Sequence, residues 1–213
     1  MNNRTRIKIC GLREPAHARI AAEAGADAIG LNFYGPSPRF VRAEEAKRVA
    51  EALPPYVMAV GLFVNALEGE VCEVLAGVRL DLLQFQGDEP PEFCERFGVP
   101  YVRAVRMAEG TDLLEYARRF HRAKALLLDA HVPGQPGGTG RTFDWSGIPR
   151  DLPIPLILSG GLTVRNVARA VREVKPWAVD VSSGVEASRG VKDPAMIVEF
   201  IRSVRREDAE SPR

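Results

Sequence analysis

The stretch RIKICGLREP, residues 6–15, decides the fold. Its first half is a short β-branched run with the composition of a strand buried on both faces. Its second half is a turn that ends in a proline suited to a first helical turn. An open, doubly wound sheet would be expected to carry a GxGxxG turn at this point, whereas CGLREP offers a thiol. Alternation along the run puts Lys8 and Cys10 on one face and Ile7 and Ile9 on the other.

Working outward, runs of the same kind recur at intervals of roughly 25 residues: AIGLNF, VMAVGLFV, LLQFQG, YVRAVRM, ALLLDA, PLILSG and VDVSSG. Amphipathic stretches such as PAHARIAAEAG, AEEAKRVAEAL, LLEYARRF and TVRNVARAVREV lie between them. Eight strand–helix repeats predict an α/β fold, a closed (β/α)8 TIM barrel in a single domain over residues 1–205, with a polar C-terminal tail at 206–213. The sixth unit is irregular, because HVPGQPGGTGRTFDWSGIP leaves room for about one helical turn before the seventh strand. Its segment GQPGGTG, residues 134–140, reads as a lid over the barrel mouth. Pro15 and Pro194 suit first helical turns, Asp193 and Thr163 suit N-caps, and Gly25 suits a helix stop.

Composition bounds the function. The chain has 213 residues, 46% of them hydrophobic and 27% charged, which is enough apolar content for a full core and excludes disorder. No stretch approaches the ~20 consecutive apolar residues of a membrane span, and MNNRTRIKICG lacks the apolar run of a signal peptide, so the expected location is cytoplasmic. A formal net charge of +1 carries no nucleic-acid footprint. Cys10, Cys72 and Cys94 have neither disulfide nor zinc-site spacing, and His17, His121 and His131 are scattered, so no metal is expected.

In a closed parallel barrel, chemistry collects at the C-terminal ends of the strands. With Ile7 and Ile9 facing the helices, Cys10 stands at the mouth and Lys8 one layer deeper. A buried cysteine alone is ordinarily packing. A buried ammonium needs a partner, and Asp180 supplies one if its strand neighbours the first across the closure. That pair is either a structural clasp or a charge that biases the nearby thiol toward thiolate. Asp129 ends the sixth strand, either as a turn residue or as an acid facing Cys10 across the mouth, an arrangement suited to proton transfer at two atoms of one substrate. SGGL at 159–162 and SSGVE at 182–186 follow strands seven and eight, where backbone amides commonly hold a phosphate. Arg141 or Arg189 is available to add charge. In NFYGPSPRF two prolines stiffen a loop presenting Arg39, whose fork suits a planar carboxylate.

KICG, the SPR loop, GLFVN, LLLD, GGTG with the following FDW, LSGGL, DVSSGVE and GVKD together resemble, in order, the motifs of the phosphoribosylanthranilate isomerase family of tryptophan biosynthesis. The resemblance runs from Lys8 to Asp193 and implies a (β/α)8 barrel that works without a cofactor. It implies Cys10 as general base, Asp129 as general acid, Arg39 at the anthranilate carboxylate, and Gly160, Gly161, Ser183 and Gly184 at the phosphate. Chemistry then asks for a lowered thiol pKa and a raised carboxyl pKa in one pocket. The family usually has histidine where QFQG places Gln86, which cannot titrate near neutrality. The implied partner is a small phosphoribosyl substrate, with no nucleic acid or membrane, and an exposed apolar face leaves a homodimer open.

Other phosphosugar barrels fit less well. An indole-glycerol-phosphate synthase wants a lysine acid at a strand mouth, and Lys8 lies a layer too deep; a metal-dependent epimerase wants histidine and aspartate ligands at several strand ends. A noncatalytic phosphosugar-binding barrel, in which Cys10 merely packs, stays open at this point.

Overall fold

The computed structural model describes residues 4–130, 144–149 and 151–211. All eight expected runs are strands: β1 (Arg6–Cys10), β2 (Ala28–Asn32), β3 (Met58–Phe63), β4 (Leu82–Phe85), β5 (Tyr101–Met107), β6 (Leu126–Ala130), β7 (Leu156–Leu158) and β8 (Ala178–Val181). They pair in parallel in chain order, and β8 closes on β1. Around them run α1 (Pro15–Ala24), α2 (Ala43–Glu51), α3 (Glu68–Gly77), α4 (Pro91–Cys94), α5 (Leu113–Arg119), α6 (Val167–Val174) and α7 (Pro194–Glu210). Between β6 and β7 the described residues hold one 3-10 turn, Trp145–Gly147, where an irregular sixth unit is expected. The lid read at 134–140, His131 and Arg141 lie outside the described residues.

Strand register carries one parity around the ring. Cys10 pairs with Gly30, Gly30 with Val60 and Val60 with Leu82, while Ala104 pairs with Leu127, Leu127 with Ile157 and Ile157 with Ala178. These residues face the interior, so Ile7, Ile9, Ile29, Leu31 and Val179 face the helices and join the main core, as alternation requires. Inside, Val102, Ala104, Leu127, Ile157 and Ala178 pack as a separate apolar cluster. Polar interior positions sit one layer higher, at Lys8, Gln84 and Asp180, all buried.

Helix ends follow local chemistry. Asp193 Oδ1 accepts the amides of Ala195 and Met196 at 2.8 and 3.0 Å, Pro15 and Pro194 occupy first turns, and Gly25 stops α1 at φ +106°. α6 begins after Asn166, whose side chain caps none of its amides; Thr163 caps the turn that leads into it, its hydroxyl accepting the Arg165 amide at 3.3 Å, while Asn166 accepts from the Thr163 amide at 2.8 Å and donates to the Gly161 carbonyl at 2.9 Å. The turn before α6 therefore fastens the glycine loop after β7.

The polar tail expected from Arg206 is instead the last stretch of α7, which continues to Glu210. Two of its charges, Glu207 and Asp208, are tied down rather than solvated. Asp208 accepts from the Thr5 amide and hydroxyl at 2.8 and 2.7 Å, buried Glu207 accepts from Arg172 of α6, and Arg205 donates to the carbonyls of Thr5 and Gly25. Charge-assisted bonds to the entry of β1 hold the helix across the barrel seam.

Candidate active site

A cavity of about 490 Å³ opens at the C-terminal ends of the strands. Cys10, Arg39, Gln86, Asp129, Gly160, Gly161, Asp180 and Ser183 line it, so most of the residues singled out in the sequence meet in one cup. Lys8 and Gly184 stand behind that lining. A second hollow, lined by Trp145, Leu156, Arg169 and Trp177, opens outside the barrel and contains none of the strand-end residues.

Cys10 is buried at the top of β1, next to Gly30, where an added Cβ would lie 2.7 Å from the sulfur. Lys8 below it is in register with Asp180, and its Nζ donates to both carboxylate oxygens at 2.9 Å. Burial works against the Lys8 ammonium, yet Asp180 and the thiol outweigh it and hold its pKa above the ordinary value. Here the structure corrects an expectation. Burial pushes the Cys10 thiol up rather than down; Lys8 and Lys192 oppose the rise, Asp180 adds to it, and the net direction is upward. Lys8 therefore limits the cost of forming a thiolate without making one the resting state.

The Asp129 carboxyl is shifted toward its protonated form, though it is still mostly ionised near neutrality. Desolvation carries its pKa to about 6, and the charge of Asp180 adds to the shift. Gln86 Nε2 donates to Asp129 Oδ2 at 2.9 Å, and Gln84 Nε2 donates to Gln86 Oε1 at the same distance. The second bond sets the orientation of the Gln86 amide. The Ala130 amide also bonds the carboxyl and, with the charges of Arg106 and Lys8, opposes the rise.

The glycine loops have the expected backbone freedom. Gly160 and Gly161 have φ of +78° and +68°, and Ser183 opens a 3-10 turn, Ser183–Val185, after β8. Amides of such loops and the start of a short helix are suited to an anionic oxygen cluster. Arg189 and Arg106 also line the cavity.

Arg39 is the residue whose setting the sequence least reveals. Its Nε and Nη2 donate to Glu186 at 2.7 and 2.9 Å, so one edge of the fork is already paired. Glu186 opens a small hairpin, β9 (Glu186–Ser188) with β10 (Val191–Lys192), that follows the loop after β8. Against the upward pull of burial, Arg39 and Lys192 hold the Glu186 carboxyl at about 2. Gly11, at φ +76°, lets this arginine cross the end of β1; a Cβ there would lie 2.7 Å from Arg39 Cδ. The glycine after the thiol thus brings Arg39 beside Cys10.

Glu186, Lys192 and Gln84 were missed from sequence. The available signal was an acid and a base on either side of Gly190 in VEASRGVK, a spacing that a tight hairpin turns into a pair. Among the described residues no group of three or more His, Cys, Asp or Glu side chains is placed to hold a metal ion, and no helix is long and apolar enough to cross a membrane.

Fold and site define a (β/α)8 barrel with an acid and a thiol facing one cavity beside loops suited to an anion. The family model for N-(5'phosphoribosyl)anthranilate (PRA) isomerase matches residues 7–203. An N-(5'-phosphoribosyl)anthranilate isomerase of Azotobacter vinelandii is 56% identical over 200 residues, covering 94% of this chain and 97% of the relative. A crystal structure of phosphoribosyl anthranilate isomerase from Thermotoga maritima superposes with a TM-score of 0.85 at 39% identity, covering 94% and 98% of the two chains. A further structure, of a phosphoribosyl anthranilate isomerase in complex with reduced 1-(o-carboxyphenylamino)-1-deoxyribulose 5-phosphate, does so at 0.82 and 38% with the same coverage. The chain belongs to the N-(5'-phosphoribosyl)anthranilate isomerase family.

Proposed function

We infer that the protein catalyses the Amadori rearrangement of N-(5-phosphoribosyl)anthranilate to 1-(2-carboxyphenylamino)-1-deoxyribulose 5-phosphate in tryptophan biosynthesis. The observation that carries this reading is the convergence of Cys10 and Asp129 on one cavity beside two glycine loops. Asp129 gives its proton to the furanose ring oxygen as the C1–O bond breaks, and the nitrogen lone pair forms the C1=N iminium. Cys10 thiolate then takes the C2 proton. The C–H electron pair becomes a C1=C2 bond, the iminium π pair returns to nitrogen, and the enolamine tautomerises to the ketone.

The pKa order gives this chemistry a definite form. Asp129 titrates at about 6, whereas the thiol lies above its ordinary value, so near neutrality the resting pair is thiol and carboxylate. The working pair, thiolate and carboxylic acid, has the same proton count and differs only in where the proton sits. Each turnover returns the enzyme to the resting tautomer, with the proton on sulfur. Lys8 favours the working form by facing the new thiolate, and the neutral Gln86 amide remains on Asp129 Oδ2 in both forms. Gln86 thereby orients the acid and takes no part in moving its proton.

Arg39 meets the anthranilate carboxylate with the edge of its guanidinium that Glu186 does not occupy. Gly160, Gly161, Ser183 and Gly184 form the phosphate end. A cytoplasmic location suits a biosynthetic step on a phosphorylated intermediate, and a second copy of the chain is the partner reading, with Tyr56 wholly exposed and Leu67 71% exposed as apolar surface. Sedimentation velocity tests the latter. The direct test of function is to add the protein to freshly made phosphoribosylanthranilate and follow the loss of its fluorescence. Catalysed loss with formation of the ketose supports the reading; no acceleration over the blank removes it.

A further inference from the structure

The hairpin beyond the β8 loop holds a charge cluster that the rearrangement does not itself use. Glu186 and Lys192 are almost wholly enclosed, with side chains 4% and 2% exposed, and neither lines the cavity. Lys192 Nζ donates to Glu186 Oε1 at 2.8 Å, to the Ser182 carbonyl at 2.8 Å and to the Ser182 hydroxyl at 3.3 Å, which commits its three protons. Glu186 Oε2 accepts from Arg39 and from the Gly190 amide, at 2.9 and 3.0 Å. Every strong donor and acceptor behind Arg39 is therefore satisfied within the protein.

Two consequences follow. Two cations against one carboxylate leave the cluster with a residual positive charge beside the cavity. A guanidinium held by two parallel bonds also has a fixed plane, which a single-bonded or solvated arginine lacks. The exposed edge of Arg39 is thus presented in one orientation before any ligand arrives, at a side chain only 11% exposed. Preorganisation of this kind lowers the entropy cost of binding a planar group.

We propose that Glu186, locked by Lys192, is a positioning residue that makes Arg39 selective for a substrate carrying a carboxylate on its aromatic ring. The proposal rests on the reading of Arg39 as the carboxylate contact. Glu186 acts through Arg39 and touches no substrate atom.

The test compares kcat/KM for phosphoribosylanthranilate with that for the phosphoribosyl adduct of aniline, which lacks only the carboxylate, with the ketose products followed by chromatography. Arg39→Met is expected to abolish the preference for the carboxylated substrate. Glu186→Gln is expected to reduce that preference at least tenfold, mainly through KM, while kcat/KM for the aniline adduct changes no more than threefold. Glu186→Asp, which keeps the charge but withdraws it from the fork, is expected to fall between, and it carries the test alone if Glu186→Gln does not fold. Equal losses on both substrates, or an unchanged preference in the Glu186 variants while Arg39→Met loses it, overturn the proposal. An unchanged preference in Arg39→Met removes the carboxylate reading itself, and the proposal with it.

Discussion

Lys8 and Asp180 face each other in register across the seam where β1 meets β8, with the ammonium nitrogen 2.9 Å from both carboxylate oxygens and both side chains buried. The pair joins the first and last strands of the barrel directly beneath the thiol. Removing one partner leaves a buried charge uncompensated, at a cost of about 3–5 kcal/mol. Lys8→Met and Asp180→Asn are each expected to lose stability of that order in urea unfolding, and Lys8→Met/Asp180→Leu to recover much of it. Two single variants within about 0.5 kcal/mol of the parent would show that the clasp contributes nothing.

Cys10→Ala and Asp129→Asn are each expected to bind the reduced product analogue nearly as tightly as the parent while kcat falls by orders of magnitude. Neither residue belongs to the glycine loops. Near-normal turnover in either variant strips that residue of its role, and the two measurements together separate catalysis from binding.

Asp129→Asn has a second expected effect, on stability. The carboxyl pKa is raised in the folded protein, from 3.8 to about 6, so the fold disfavours the ionised form. Below pH 3.8 the group is protonated in both folded and unfolded chains and the shift has no effect. The penalty grows between pH 3.8 and 6 and is complete above 6, at about 3 kcal/mol for a shift of this size. The amide variant is therefore expected to be more stable than the parent at pH 7.5 and no more stable at pH 3.5. Thermal unfolding at both values decides, and a variant less stable at pH 7.5 contradicts the assignment.

The pH profile follows from the same pair of groups. Below pH 6 both are protonated and the thiolate fraction climbs with pH; above 6 the acid fraction falls as fast as the thiolate fraction rises, and the product is level until the thiol itself ionises. The rising limb of kcat/KM is thus expected near pH 6 and reports Asp129, although Asp129 is the proposed acid. The falling limb reports Cys10. Thiolate absorbance of the parent minus Cys10→Ser is expected to titrate above the ordinary thiol range, and a midpoint below it contradicts the proposed order.

Gly184 tests the anion loops. A Cβ there would lie 1.8 Å from the Leu162 carbonyl oxygen and 3.0 Å from the Thr163 Cα, both backbone atoms of the loop after β7. Gly184→Ala forces the two loops apart, and a loss of about 1–3 kcal/mol in stability is expected for such overpacking. Inhibition by inorganic phosphate is expected to weaken at least tenfold. Unaltered inhibition would place the phosphate elsewhere.

Legibility in the sequence tracked the range of the physics. Strand alternation put Lys8 and Cys10 on one face because period 2 is local, and Asp180 was identifiable as a partner because closure makes the eighth strand a neighbour of the first. The bond from Gln86 to Asp129 spans 43 residues and two barrel strands, and it depends on register and side-chain reach. The fork from Arg39 to Glu186 spans 147 residues, and nothing in SPR or GVE announces it. The continuation of α7 to Glu210 was likewise hidden, since a string of charges reads as solvated until Thr5 and Arg172 are seen beside Asp208 and Glu207.

By itself the sequence determined the number and order of barrel strands, the inward face of the first and sixth, and which loops carry glycine, because alternation, helix punctuation and turn chemistry act over a few neighbouring residues. Only the tertiary structure decided that the thiol sits above its ordinary pKa, that the acid sits near 6, and that Arg39 is already half engaged. Those properties come from desolvation and from charges brought close by distant strands, and both exist only once the barrel has closed.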